Sequence, residues 1–210
     1  WSKDEEFVSG KFDRSIVRSK YPVLSFQAVM GIKGMFGSDH EYQKLDFMYD
    51  HQRPIGILGN MRYGFGVGVI LGQTAYPFLK VHEGNQSYFL YKNTFNMLNY
   101  FEFISDKYVD GFIENHWGGL FLDYIPGVRK LQLRFVTSVR ATWGTISNKH
   151  NREMILPNFT KQFGNIPYVE CSFGIENILK VLRVDLFYRA THQLENSSPF
   201  GVRARFEFYL

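Results

Sequence analysis

The sequence predicts an all-β chain, an antiparallel meander of about eight strands of the kind that closes into transmembrane β-barrels. Three observations lead there. Apolar and polar residues alternate with a period of two in segment after segment, the mark of strands whose two faces meet different surroundings. The apolar sides are bulky and aromatic at nearly every position, while the opposite sides carry charges of both signs. The long connections both fall at one end of the strands and the short ones at the other, as membrane barrels arrange them.

Composition bounds the alternatives. With 210 residues the chain is the size of one domain, taken here as barrel throughout 1–210. The net charge of +4 is mild and no basic block stands out, so no nucleic acid is expected as a partner. No apolar run is long enough for a membrane-spanning helix. A barrel strand needs only about 9–11 residues, alternately apolar. The single cysteine, Cys171, allows no intrachain disulfide, and its expected role is that of a small residue on an apolar face. The opening Trp1-Ser2-Lys3-Asp4-Glu5-Glu6 has neither a start methionine nor the pattern of an export signal. We therefore expect a fragment or processed piece, with upstream strands and periplasmic domains missing.

The clearest strand runs from Leu131 to Gly144. Leu131, Leu133, Phe135, Val139, Ala141 and Trp143 share one face and Gln132, Arg134, Ser138, Arg140 and Thr142 the other, with Val136 and Thr137 as lapses. In Leu182–Thr191, the apolar Leu182, Val184, Leu186, Tyr188 and Ala190 oppose Arg183, Asp185, Phe187, Arg189 and Thr191. In Val202–Leu210, Val202, Ala204, Phe206, Phe208 and Leu210 oppose Arg203, Arg205, Glu207 and Tyr209. In Tyr108–Trp117, Val109, Ile113 and Trp117 oppose Asp110, Glu114 and His116. Further strands are expected at Val23–Lys33, Tyr42–His51, Asn60–Gly72 and Tyr168–Glu176. Strand Asn60–Gly72 sets Gly64, Gly66, Gly68 and Gly72 against Met61, Tyr63, Phe65, Val67, Val69 and Leu71. Such a glycine face often marks close approach of another backbone. The long connections are placed at about Gln73–Phe103 and Thr145–Pro167, the short ones at Gln52–Gly59 and Asn177–Val181.

Alternation alone does not say which face is wet. A soluble barrel turns apolar residues inward, and a membrane barrel turns them toward lipid. Mixed charge on the polar faces suits a hydrated lumen crossed by ion pairs. The expected lumenal set is Asp110, Glu114, Arg134, Arg140, Glu170, Glu176, Arg183, Asp185, Arg189, Arg203, Arg205 and Glu207. The expected lipid-facing set includes Leu131, Leu133, Phe135, Val139, Trp143, Leu182, Val184, Leu186 and Tyr188. Trp117, Trp143, Tyr188 and Phe208 near strand ends suit interfacial girdles. The alternating Val202, Ala204, Phe206, Phe208 and Leu210 resemble the C-terminal strand signal of outer-membrane barrels, with terminal Leu210 in place of the usual Phe.

Several stretches carry a family resemblance. They are Ser19-Lys20-Tyr21-Pro22-Val23, Gly31-Ile32-Lys33-Gly34 leading to Gly37-Ser38-Asp39, Phe95-Asn96-Met97-Leu98-Asn99-Tyr100-Phe101-Glu102-Phe103, Ser105-Asp106-Lys107-Tyr108, Ile125-Pro126 with Arg129-Lys130-Leu131, and Pro167-Tyr168-Val169-Glu170 with Gly174-Ile175-Glu176-Asn177-Ile178 and Leu182-Arg183-Val184-Asp185. Together they resemble the C-terminal barrel of an uncharacterised Gram-negative outer-membrane family, whose members often carry an N-terminal carboxypeptidase-regulatory-like domain. That barrel is distantly similar to the BamA/TamA assembly-factor superfamily. The resemblance implies a sixteen-stranded barrel of which this chain is the C-terminal half. It also implies a long extracellular loop folded back into the lumen, with five strands following. The superfamily's Arg-Gly-aromatic loop tip has its nearest match in Met97-Leu98-Asn99-Tyr100, which lacks the arginine. The glycine face of Asn60–Gly72 is expected to leave room for such a loop.

Enzyme chemistry finds little footing. His40, His51, His82, His116, His150 and His192 are scattered, without metal-ligand spacing. Glu114 and His116 share a strand face and read as a lumenal hydrogen bond. Gly64-Phe65-Gly66-Val67-Gly68 has no following helix to make a nucleotide loop. Asp106, Asp110 and Glu114 read as a solvated face rather than an acid/base pair, and Ser172 lacks a nucleophile-elbow setting. No cofactor and no catalysis are expected. The function implied by the resemblance is outer-membrane assembly, or insertion or export of protein or lipid, with outer-membrane lipid and client proteins or lipids as partners. A passive pore whose selectivity is set by Arg203, Arg205 and Glu207, and a membrane anchor for upstream domains, are the alternatives.

Overall fold

The computed structural model describes residues 5–9, 14–19, 21–35, 39–119, 122, 124–126, 129–147 and 157–207. It is an antiparallel β-meander. Twelve strands occur in order: β1 (Glu5–Ser9), β2 (Arg14–Ser19), β3 (Val23–Gly31), β4 (Glu41–Pro54), β5 (Asn60–Gln73), β6 (Lys80–Val81), β7 (Ile104–Ser105), β8 (Lys107–His116), β9 (Arg134–Thr145), β10 (Tyr168–Ile178), β11 (Leu182–Arg189) and β12 (Phe200–Phe206). Eight of them form one sheet in the order β12-β11-β10-β9-β8-β5-β4-β3, and β1 pairs with β2, β6 with β7. Among the described residues the large sheet is open, with β3 and β12 as its edges.

All eight expected strands are present, with ends shifted by a few residues. Leu131–Gly144 is the largest correction. Strand β9 begins at Arg134, because Arg129–Leu131 form a 3-10 turn and Gln132 takes a left-handed φ of 52° that breaks the alternation. Leu131 and Leu133 therefore precede the strand instead of extending its apolar face. At the other end of the pattern, β11 stops at Arg189, and Thr191 leaves the strand to cap neighbours: its Oγ1 accepts from Val169 N at 2.8 Å and donates to Pro167 O at 2.8 Å. Phe208 and Leu210 lie outside the described residues.

The two faces of the sheet are chemically opposed. Outward on successive strands stand Phe26, Phe65, Ile113, Val139, Phe173, Leu186 and Phe206, all exposed, Phe26 at 71% and Phe206 at 59%. Inward stand Glu114, Arg140, Glu170, Glu176, Arg183, Asp185 and Arg189, all buried. The lapse at Val136 is resolved here: it lies on the inward face, fully buried, paired with Gly174 and His116. Thr137 faces outward and accepts a hydrogen bond from Trp117 Nε1 at 2.9 Å.

The glycine face of β5 is filled differently from expectation. A Cβ at Gly68 would strike the Tyr108 ring, and one at Gly64 would lie 2.8 Å from Phe112. The space is taken by aromatic side chains of the adjacent β8, not by a folded-in loop. Phe112 in turn lies between the guanidinium groups of Arg62 at 4.9 Å and Arg140 at 5.2 Å.

The strand ends joined by 74–79, 82–103 and 106 between β5 and β8, by 146–167, by 190–199 and by 32–40 all lie at one end of the sheet. At the other end, 55–59 and 179–181 are short. The third connection at that end, between β8 and β9, is long; of it, the sequence reading had placed Trp117 and 131–133 in the flanking strands.

Candidate functional site

The charged inner face is roofed by the chain's own segment between β5 and β8. This segment folds back on itself through Asn85 N to Leu98 O at 2.9 Å and Phe95 N to Glu83 O at 2.9 Å. Gly84 permits the fold: a Cβ there would collide with the carbonyls of Leu98 and Asn99. Asn85 and Asn96 lock the interior of the turn, with Asn85 Nδ2 donating to Asn96 Oδ1 at 2.8 Å.

Two buried charged groups fasten the segment to the sheet. Glu170 of β10 accepts from the backbone N–H groups of Asn96 at 2.8 Å and Met97 at 2.9 Å, and from Tyr168 Oη at 2.9 Å. Arg189 of β11 donates to Glu102 at 2.7 and 3.1 Å and to Met97 O at 3.1 Å. The expected tip residue Met97 is thus at the anchor. The sheet supplies Glu170 and Arg189, and the loop supplies backbone donors and Glu102. Burial works to raise the Glu102 carboxyl, but Arg189, the Asn99 N–H and Lys161 outweigh it and hold the group below the ordinary carboxylate range.

Apolar packing completes the seat. Leu98, Phe103, Phe163 and Tyr168 form a buried cluster with Phe95 against it, and Phe103 stacks on Phe163 with centroids 4.2 Å apart. Buried His82 bridges Ser105 Oγ at 3.0 Å and Thr142 Oγ1 at 2.9 Å, and Thr142 Oγ1 donates to Asp110 at 2.5 Å.

Below this seat a charge network crosses the strands. His116 lies 3.1 Å from Glu114 and 2.8 Å from Glu176. Arg183 contacts Glu114 at 3.4 Å and Asp185 at 2.7 Å, and Arg140 stands 3.8 Å from Glu114. Arg205 lies 3.5 Å from Glu207. Such pairs satisfy buried charges that would otherwise be costly. The expected Glu114–His116 hydrogen bond is present, and Glu176 joins it. Among the described residues no group of three His, Cys, Asp or Glu side chains is arranged to hold a metal ion.

Of the expected lumenal residues, Glu114, Arg140, Glu176, Arg183 and Asp185 meet in the network, and Glu170 and Arg189 meet the loop. Asp110 joins the His82–Thr142 chain. Arg134 stands exposed at the start of β9. Arg203 donates to Val202 O at 3.0 Å and Asn85 O at 3.4 Å. The outward residues Phe135, Val139, Trp143, Leu182, Val184, Leu186, Tyr188, Val202 and Ala204 occupy the opposite face. Sequence reasoning missed Asn96, Glu102, His82 and Arg62. Their partners are remote in sequence, and only Glu102, flanked by two phenylalanines, carried a local hint.

These features define a class: an antiparallel meander with an apolar outer face and a charged inner face roofed by its own chain. The chain belongs to the family described as "Family of unknown function (DUF5686) C-terminal domain", which matches residues 5–156. No curated protein matches the chain.

Proposed function

We propose that this chain forms part of an outer-membrane β-barrel of a Gram-negative bacterium, and that the barrel serves assembly, or insertion or export of protein or lipid, at that membrane. The observation that carries the reading is the opposition of faces. Leu186 and Phe206 are 47% and 59% exposed while Arg183 is 1% exposed. A soluble barrel inverts this. An apolar face continuous over eight strands exceeds the few hundred Å² that a soluble monomer exposes, and calls for an apolar medium. Lipid in turn demands that the sheet's backbone groups be paired, so both open edges call for further strands. A half-barrel completed by upstream strands meets that need.

The roofed inner face weighs against the passive pore. With the loop fixed at Glu170 and Arg189, permeation past β8–β12 requires the loop to leave. The experiment has two arms. In vesicles containing brominated lipid, fluorescence of Trp143 is expected to be quenched. In a host lacking the full-length protein, insertion of newly made outer-membrane proteins, or the lipid composition of the outer leaflet, is expected to change. Unquenched Trp143 rejects the membrane reading, and a host unaltered in both respects rejects the assembly reading.

A further inference from the structure

At the loop end of the sheet a pocket of about 280 Å³ lies between the roofing segment and the connection from β11 to β12. Asn85 and Asn99 of the roof form one wall and Ser197 and Ser198 of the connection another, while Arg189 and Arg203 enter from β11 and β12. Among the described residues no carboxylate lines it. Of its lining, Gln86, Ser197 and Ser198 are exposed, so solutes reach it. Arg189 and Arg203 each bury an Nε–H that has no hydrogen-bond partner among the described residues. Burying such a donor is costly unless something accepts it.

The surrounding carboxylates are engaged elsewhere. Asp185 stands opposite Arg203 across the ladder, but it receives Arg183 at 2.7 and 2.9 Å. Glu207 lies 3.5 Å from Arg205, and Glu170 accepts the N–H groups of Asn96 and Met97. Glu102 is shared by Arg189 at 2.7 Å and Lys161 at 3.7 Å. Arg203 itself donates to two carbonyls, Val202 O at 3.0 Å and Asn85 O at 3.4 Å. These fix its guanidinium without neutralising it, and among the described residues it forms no ion pair. Gly201 makes room for the arrangement: a Cβ there would strike Met97 Sδ and lie 3.3 Å from Arg203 Nη1.

We propose that this pocket binds a phosphate-type oxyanion, either free phosphate or a phosphomonoester headgroup, and that the bound anion ties the roof to the sheet. The donors come from separate elements: guanidinium groups from β11 and β12, hydroxyls from Ser197 and Ser198, and an amide from Asn99. A tetrahedral oxyanion presents acceptors in as many directions, whereas a carboxylate presents two oxygens in one plane, and arginine forks match phosphate closely. The volume lies below the roughly 300–1,000 Å³ of pockets for drug-sized ligands, so a compact group fits, and a lipid could enter by its headgroup alone. Because roof and sheet both contribute walls, the site exists only while the roof is seated. The proposal stands apart from the assembly reading above.

The test uses the full-length protein in phosphate-free dodecyl maltoside micelles. Inorganic phosphate, glycerol 3-phosphate and acetate are titrated by calorimetry, and phosphatidic acid is added in mixed micelles. Phosphate is expected to bind, and Arg203→Gln to weaken it about tenfold or more, the scale of a charge-assisted hydrogen bond. Arg134→Gln removes the same charge from an exposed site at the opposite end of the sheet and is expected to leave binding unchanged. Ser197→Ala, in an exposed connection where folding is not at stake, is expected to weaken binding severalfold. With phosphate at about a hundred times its dissociation constant, hydrogen exchange of residues 82–103 is expected to slow about a hundredfold. Phosphatidic acid binding more tightly than inorganic phosphate, and losing that affinity in Arg203→Gln, identifies a lipid headgroup; equal or weaker binding identifies the free anion. The site is overturned if none of the three phosphates binds, if acetate binds as tightly as phosphate, or if Arg203→Gln and Arg134→Gln bind alike. Binding that leaves exchange of 82–103 unaltered overturns its hold on the roof.

Discussion

The inner face divides into two unlike halves. Over β8–β12 the loop roofs the strands, and Glu170, Arg183, Asp185 and Arg189 are buried to 2% exposure or less. Over β3–β5, among the described residues, cover is confined to the loop end, where Ile70 packs with Leu79: Ser25 and Gln27 are exposed, and so is Met48, although it too faces inward. The charges there, as in the Arg62–Asp50 pair, are only partly buried. Both halves obey the same alternation. What differs is a segment many residues away in sequence, and it converts one polar surface into a packed interior while leaving the other wet. The same arginine–carboxylate pairing thus carries a different energetic weight in each half.

Breaking the clamp tests this most severely. Arg189→Ala strands Glu102 beneath the roof and is expected to cost about 3–5 kcal/mol, the scale of an unpaired buried charge, read by chemical unfolding in lipid vesicles. A loss under about 1 kcal/mol would show that the loop is not seated there. Next in size, Leu186→Arg on the outer face is expected to cost about 2–4 kcal/mol if that position lies near the bilayer midplane. The same variant in a detergent-free aqueous state would show no such penalty if the outer face met water.

Acid should loosen one half and spare the other. The folded Glu102 carboxyl is held below its unfolded value, so its stabilising contribution is complete above the ordinary carboxylate range. It diminishes as pH falls through that range and is gone below the depressed folded value. Hydrogen exchange of residues 82–103 should therefore quicken with acid, and Glu102→Gln should remove most of that dependence. The smallest effect is expected from Arg62→Ala in the open half, under about 1 kcal/mol, the range of exposed pairs. A cost equal to that of Arg189→Ala would erase the contrast between the halves.

Alternation made the strands legible, because one apolar side and one charged side leave a period-two trace in any window. Turn chemistry was less so. The reversal at 179–181 uses left-handed Asn177, Leu179 and Lys180, none of them glycine. Leu131 and Leu133 were read into β9 because their apolar side chains continue its rhythm across a turn. The loop's seat was half visible. Met97 could be picked out as the region of contact, but Glu170 is joined to it by backbone N–H groups, which no side-chain pattern announces. The glycines of β5 were read as a berth for the loop, and rings from β8 lie over them because Tyr108 and Phe112 stand at the paired positions. Pairing register, not composition, decided that.

The β5 glycines bear on mechanics as well as packing. At Gly66 a side chain would meet only the Phe47 carbonyl, at 3.7 Å, so the charged surface there lacks the crowding that props neighbouring strands apart. Glycines on the inside of a sheet permit sharper curvature. Flanked by Gly64 and Gly68, whose space Phe112 and Tyr108 fill, Gly66 is where the inner face of β5 meets no side chain, and the sheet has room to curve there.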